Sequence, residues 1–178
     1  MIRTSNQLLL FFVLAAFLLP GSAFAQNNPL ATASWISAPF ADTTGGPCPV
    51  FQKLFSTQKA IRKATLYITA HGLYEAAING KRVGKAYFTP GFTPYDKELF
   101  YQQYDVTALL NKRGAKTLAV TIGNGWYRGV FGPHGGSPGR PNIYGRDASL
   151  LARLVPMEII FSMPANRARS TTAGRSAS

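Results

Sequence analysis

The chain has 178 residues, 46% of them hydrophobic and 12% aromatic, enough to build one cored domain and too apolar for a disordered polymer. Its 17 glycines and 12 prolines favour a turn-rich β domain over a helical bundle, and a single cysteine excludes an internal disulfide or a cysteine-built zinc cluster. Lys and Arg number 19 against 7 Asp and Glu, a formal charge of +12; these cations are scattered without a dense run or nucleic-acid motif, so they read as a solvated surface with loose affinity for anions.

Residues 1–25 have the form of a secretory signal. Arg3 supplies the positive start, Leu8 to Leu19 is a 12-residue apolar run, Pro20-Gly21 breaks it, and Ala23-Phe24-Ala25 is a cleavage site. The run is shorter than the ~20 apolar residues that span a bilayer. Cleavage after Ala25 and export, periplasmic or secreted, are therefore expected, with no membrane segment left afterwards. Residues 26–49 form a lead-in.

From residue 50 to 154 the text alternates. Ala64, Leu66, Ile68 and Ala70 share one face of a predicted strand, and Tyr74, Ala76 and Ile78 continue a second. Asn79-Gly80 ends that run as a type I′ hairpin, which needs positive φ at both central residues, and Lys81 to Lys85 return as its partner. Leu99 to Tyr104 is a further strand candidate. Asp105 to Leu110 reads as a short helical turn with Asp105 or Thr107 as N-cap. Leu118, Val120 and Ile122 form another face, a Gly- and Pro-rich loop runs from Gly123 to Gly145, and Ala148, Leu150, Ala152 and Leu154 make the last clear strand. Short strands at this spacing predict an all-β fold, an antiparallel jelly-roll-like β-sandwich.

After Leu154 the alternation stops. Residues 165–178 hold no apolar side chain larger than alanine, so 155–178 reads as a disordered tail or as out-of-frame text. On that reading the sandwich is incomplete at its C-terminal end. Strand 148–154 would then be an unpaired edge, with poor solubility as the consequence.

Five phrases carry a family likeness. They are Leu66-Tyr67-Ile68-Thr69-Ala70-His71-Gly72-Leu73-Tyr74-Glu75-Ala76, Ile78-Asn79-Gly80-Lys81-Arg82-Val83-Gly84, Phe88-Thr89-Pro90-Gly91-Phe92-Thr93-Pro94-Tyr95-Asp96, Tyr101-Gln102-Gln103-Tyr104-Asp105-Val106-Thr107 and Ile122-Gly123-Asn124-Gly125-Trp126-Tyr127-Arg128-Gly129. In this order they resemble the N-terminal β-sandwich domain of bacterial α-L-rhamnosidases over about residues 50–154; Lys116 stands where that family usually has Asn. The resemblance implies an inverting glycoside hydrolase acting on terminal α-L-rhamnose, whose catalytic carboxylates lie in a separate helical barrel further along the chain. It therefore implies an accessory domain, recognising substrate or supporting the barrel, with a rhamnose-containing glycoside or polysaccharide as partner. An independent lectin-like module and a scaffold with only protein partners are the alternatives. No cofactor is required, although some sandwiches of this family hold calcium with the sugar.

The residues offer little catalysis of their own. Asp96 and Glu98 are the one close acidic pair, and on a strand positions i and i+2 would share a face; a turn Asp beside an exposed Glu is the simpler reading. His71 and His134 are too isolated to suggest a metal site, and Gly123 to Gly129 lacks the Lys-Ser/Thr ending of a phosphate loop. Sugar recognition needs an aromatic face for the apolar side of the ring and polar groups for its hydroxyls. Asn124, Trp126, Tyr127 and Arg128, with Tyr95, Asp96 and Glu98, supply those types and are the candidate site residues; core packing of Trp126 and Tyr127 is the competing reading.

Overall fold

A computed structural model describes residues 28–38, 46–132, 139–156 and 159–160. Residues 1–25, read above as a signal, residues 161–178, read above as part of a tail, and His134 lie outside the described residues.

Period-two alternation builds two antiparallel sheets. The first has the order β1 (Ile36–Ala38), β10 (Ala148–Val155), β3 (Thr65–His71), β6 (Gln102–Asp105), with β11 (Ile159–Ile160) also on β10. The second runs β2 (Val50–Thr57), β7 (Gly114–Gly123), β4 (Leu73–Ile78), β5 (Lys81–Arg82). Successive long strands alternate between the sheets, so these two rows of four make a jelly roll. A two-stranded ribbon, β8 (Val130–Phe131) with β9 (Arg140–Pro141), and two one-turn helices, α1 (Thr107–Leu110) and α2 (Gly125–Arg128), complete the described elements.

The buried faces are those the alternation predicts. Leu66, Ile68 and Ala70 of β3 and Leu150, Ala152 and Leu154 of β10 meet Leu118, Val120 and Ile122 of β7 and Tyr74, Ala76 and Ile78 of β4. Register holds them together: Leu150 sits opposite Ala70 and Leu154 opposite Leu66, while Ala76 sits opposite Val120. Tyr74 is the polar member of this core. Its hydroxyl donates to Gln102 Oε1 at 2.8 Å and lies 3.3 Å from the Tyr104 hydroxyl, which satisfies it inside the sandwich. Burial pushes its pKa well above the usual phenol range.

Two expectations are corrected. Strand 148–154 is not an open edge: β3 pairs with one side of β10, and β1 and β11 share the other. Three residues of the supposed lead-in and three from beyond Leu154, namely Val155, Ile159 and Ile160, thus belong to the sheet, and the edges of this sheet fall elsewhere. Second, Val106, not Asp105 or Thr107, holds the N-cap position of α1, and it makes no side-chain capping bond. Asp105 instead accepts from the Thr107 backbone at 2.9 Å and from its hydroxyl at 2.6 Å, an Asx-type turn that lowers the carboxyl pKa. The hairpin at Asn79-Gly80 has φ of 49° and 75°, as a type I′ turn requires. Leu99 to Tyr101 lies outside β6, and a one-turn helix and a two-stranded ribbon lie within the expected loop 123–145.

Candidate functional site

One end of the sandwich gathers Trp35 before β1, the turn after β3, the segment after β7 and the loop before β6. Asn124 and α2 follow β7 directly. The loop carrying Phe88 to Glu98 is tied to β4 by paired bonds: Tyr74 N–H donates to Thr89 O at 2.8 Å, and Thr89 Oγ1 donates to Tyr74 O at 3.0 Å. Within the loop, Tyr95 Oη donates to Gly91 O at 3.0 Å and Thr93 Oγ1 to Glu98 O at 2.8 Å. The segment before β10 is held to α2 by Asn142 N–H on Arg128 O, at 3.2 Å.

These ties bring a continuous aromatic cluster together. Trp35 and Tyr127 sandwich the His71 imidazole, with ring centroids 4.1 Å and 4.3 Å away and planes within 14° and 3° of parallel. Tyr127 meets Tyr95 edge-on at 5.3 Å, and Tyr95 meets Tyr144 at 5.0 Å. Phe92 contacts Tyr95 at 6.3 Å and Trp126 at 6.1 Å, and Trp126 contacts Phe88 at 6.5 Å. Such offset and edge geometries contribute ~0.5–1.5 kcal/mol per pair beyond area burial. The outer part of the cluster stays wet: Phe88 is 69% and Phe92 49% exposed, and Trp126 is half-buried beside them. Phe88 has φ of 57°, a left-handed backbone that costs a bulky residue on the order of 1–3 kcal/mol. The loop tolerates that cost with the ring turned outward.

The electrostatics are those of a neutral surface. Burial pushes the His71 pKa down, and the nearby Asp147 carboxylate offsets part of this. Burial pushes Tyr127 up, helped by Asp147, and Tyr95 up, helped by Tyr144. At neutral pH the cluster therefore presents an uncharged imidazole and protonated phenols, groups suited to hydroxyls.

Of the sequence candidates, Tyr95, Trp126 and Tyr127 join this cluster, and Asn124 heads α2 with its side chain not used as a cap. Arg128 is corrected: it is 0% exposed, buried beneath α2, and presents nothing to a ligand at the surface. Asp96 and Glu98 are exposed on a turn closed by Lys97 and Glu98 N–H on Pro94 O, not aligned on a strand. Sequence reasoning missed Trp35, His71, Phe88, Phe92 and Tyr144 as members. A usable signal was the run of aromatics at 87, 88, 92 and 95 inside a Pro-Gly loop, where no core face could claim them.

A calcium cage of several carboxylates does not fit here. Calcium takes about six to eight oxygens, and among the described residues no three His, Cys, Asp or Glu side chains come together.

Comparison with known proteins follows the same residues. The family model described as the α-L-rhamnosidase N-terminal domain matches residues 59–158. An α-L-rhamnosidase of Streptomyces avermitilis is 46% identical over 96 residues, covering 54% of this chain and 9% of its own length. One from Formosa agariphila is 40% identical over 81 residues, 46% of this chain and 9% of that protein. Among solved structures, the native Aspergillus terreus α-L-rhamnosidase superposes with a TM-score of 0.63 at 39% identity, over 70% of this chain and 14% of that one. The Streptomyces avermitilis enzyme complexed with L-rhamnose gives 0.54 at 41% identity, over 61% and 10%. The chain thus spans about a tenth of the length of its relatives. With more than half of its residues matched and the sandwich superposed, it belongs to the α-L-rhamnosidase N-terminal domain family.

Proposed function

We propose that this chain is an accessory, sugar-contacting domain of an α-L-rhamnosidase-like glycoside hydrolase, exported after cleavage at Ala25, and that its aromatic end receives a rhamnose-containing glycan. One observation carries the reading: a wet aromatic shelf of Phe88, Phe92 and Trp126 adjoins the uncharged hydroxyls of Tyr95 and Tyr127. A 6-deoxyhexose suits such a shelf, because its methyl group and axial C–H bonds give one apolar face while its hydroxyls point to the rim. Covering on the order of 60–80 Å² of that face is worth ~1.5–2 kcal/mol, so a lone sugar should bind with a Kd in the tens of millimolar.

The test is calorimetric titration of the full chain with L-rhamnose. Saturable heat, reduced about tenfold in affinity by Trp126→Ala, is expected. Because no three carboxylates come together among the described residues, the heat is expected to be the same in calcium and in a chelator. No heat at several hundred millimolar sugar, well above the weakest affinity this area allows, would sink the reading. No catalytic role is assigned to Asp96 or Glu98. Turnover of an aryl α-L-rhamnoside that disappears in Glu98→Gln would show that assignment to be wrong.

A further inference from the structure

The opposite end of the sandwich differs in chemistry. There the β2–β3 connection, residues 58–64, lies beside the segment from α1 to β7, residues 111–114. Thr57 Oγ1 donates to Lys112 O at 2.8 Å, Ala64 N–H donates to Thr107 Oγ1 at 2.9 Å, and Val106 N–H donates to Ala64 O at 3.0 Å. Ile61 and Leu109 pack down onto the core and pin both segments from below. Cations nearly fifty residues apart in sequence are thereby set side by side.

Lys59, Arg62, Lys63, Lys112 and Arg113 are all exposed there. Stacked sheets lie ~10 Å apart and neighbouring strands ~5 Å, so the five charges fall within a patch on the order of 20 Å across. Among the described residues, Asp105 is the one carboxylate at this end; it accepts from the Thr107 hydroxyl and N–H and offsets part of the charge of Lys63, leaving the other four cations unopposed by a carboxylate there. The rest of the described acids lie toward the aromatic end or along β4. Five exposed cations thus share one pole with a single carboxylate, and potentials from neighbouring cations add there.

We propose that this basic pole is a docking surface for a polyanionic glycan, carrying carboxylates or sulfates along its backbone. The proposal rests on the reading that the domain works on glycans, and it adds a second contact remote from the aromatic shelf. A polyanionic glycan fits better than a nucleic acid, because residues 58–64 and 111–114 contain no aromatic side chain on which a base could stack. Each contact in water is weak, ~1 kcal/mol or less, so binding should be polyvalent and lost with salt.

Affinity electrophoresis of the full chain tests it, in gels holding polygalacturonate, dextran sulfate or neutral dextran at ~20 mM and ~300 mM salt. Retardation by one or both polyanions at low salt, and none by neutral dextran, is expected. Retardation by polygalacturonate alone assigns carboxylate, by dextran sulfate alone assigns sulfate, and by both assigns charge density. Arg62→Ser/Lys63→Ser/Arg113→Ser should weaken binding by about tenfold, and Lys112→Ser alone by about threefold. A control with the same charge change toward the aromatic end, Lys85→Ser/Lys97→Ser/Arg146→Ser, all exposed, should cost less than about threefold. Equal losses in the two triple variants, no retardation by either polyanion, or tighter binding of duplex DNA than of both would overturn the proposal. The polar triple variant should leave the L-rhamnose titration unchanged, so failure here and failure of the aromatic shelf are separate results.

Discussion

Gly72 turns the chain from β3 into β4, between His71 of the aromatic cluster and Leu73. Its φ is +127°, and a Cβ there would run into the Gly123 carbonyl oxygen and stand 2.9 Å from Ile122 Cγ2. Gly114 is the matched control: its φ is +111°, and nothing lies within 4 Å of a built Cβ. Both Ala variants bear the backbone penalty, on the order of 1–3 kcal/mol. Only Gly72→Ala adds a clash with β7 backbone, worth a further ~1–3 kcal/mol of displaced packing. We expect losses of ~3–5 kcal/mol for Gly72→Ala and ~1–2 kcal/mol for Gly114→Ala, against a total stability of ~5–15 kcal/mol. At ~3–5 °C per kcal/mol for a domain of this size, melting should fall by ~10–20 °C and ~5 °C respectively. Urea denaturation read by far-UV dichroism measures both. The near-UV signal of the aromatic cluster should also shrink in Gly72→Ala, because the turn positions His71 between Trp35 and Tyr127. Equal losses in the two variants would refute the claim that strand approach at Gly123 sets the requirement.

Four further outcomes are expected. Leu150→Ala, at the buried centre of β10, should cost ~2–5 kcal/mol, whereas Leu54→Ala, at a side chain 72% exposed, should stay within ~0.5 kcal/mol; chemical denaturation compares them. Burial lowers the His71 pKa, so the unfolded chain takes up its proton first as pH falls. Stability should therefore decline below the ordinary value of 6.5, and His71→Gln should flatten the decline between pH 6.5 and the lowered folded value. Asp105 has the other sign of group: its stabilisation is present above 3.8 and is lost as pH falls through its lowered folded value, a separate window. Lys116 is 4% exposed, with Nζ only 3.5 Å from the Gly114 and Ala115 carbonyls, so Lys116→Met should hold stability or raise it by ~1 kcal/mol; a loss above ~2 kcal/mol would contradict this.

The strands that alternate cleanly were legible. β3, β4, β7 and β10 each place every second side chain in the core, and their faces were read residue by residue from period two. β2 was not legible, because Val50-Phe51 and Leu54-Phe55 put apolar residues on both faces; the sheet buries Phe51 and leaves Leu54 in solvent. β1, β8 and β9 have two or three residues each, too few to show any period; β5 was read from the Asn79-Gly80 turn, not from its own pattern, and is shorter than the expected 81–85. The supposed open edge at β10 failed for a related reason. What covers it is three residues upstream of the readable region and two downstream, and pairing of such short pieces follows from register with β10, not from their own pattern.

Site legibility divides along the same line. Asn124 to Arg128 was recognisable as a unit because it is contiguous, and Tyr95 because it lies in an aromatic loop. The stack of Trp35, His71 and Tyr127 was invisible, since it depends on β1 and β3 flanking β10 and on α2 folding back beside them. Within the unit, sequence could not say which side chains face out: one turn of helix sends Trp126 toward Phe88, Tyr127 toward His71 and Arg128 inward.

A jelly roll passes its strands alternately between two sheets, and so sends its connections to opposite ends. That topology sorts the loops by chemistry here. Connections around 72, 88–98 and 124–128 carry aromatic rings and meet at one end; those at 58–64 and 106–113 carry cations and meet at the other. In the linear text the cations looked scattered, because Arg62 and Arg113 are separated by strands β3 to β6. The pairing of Thr57 with Gly114 removes that separation. A surface reading made from sequence spacing alone therefore underestimates local charge wherever two strands of one sheet end together. If the cations of residues 58–64 and 111–114 act as one patch, replacing them in either loop should reduce the salt sensitivity of polyanion binding by a similar step. A step confined to one loop would show that the two do not share a ligand.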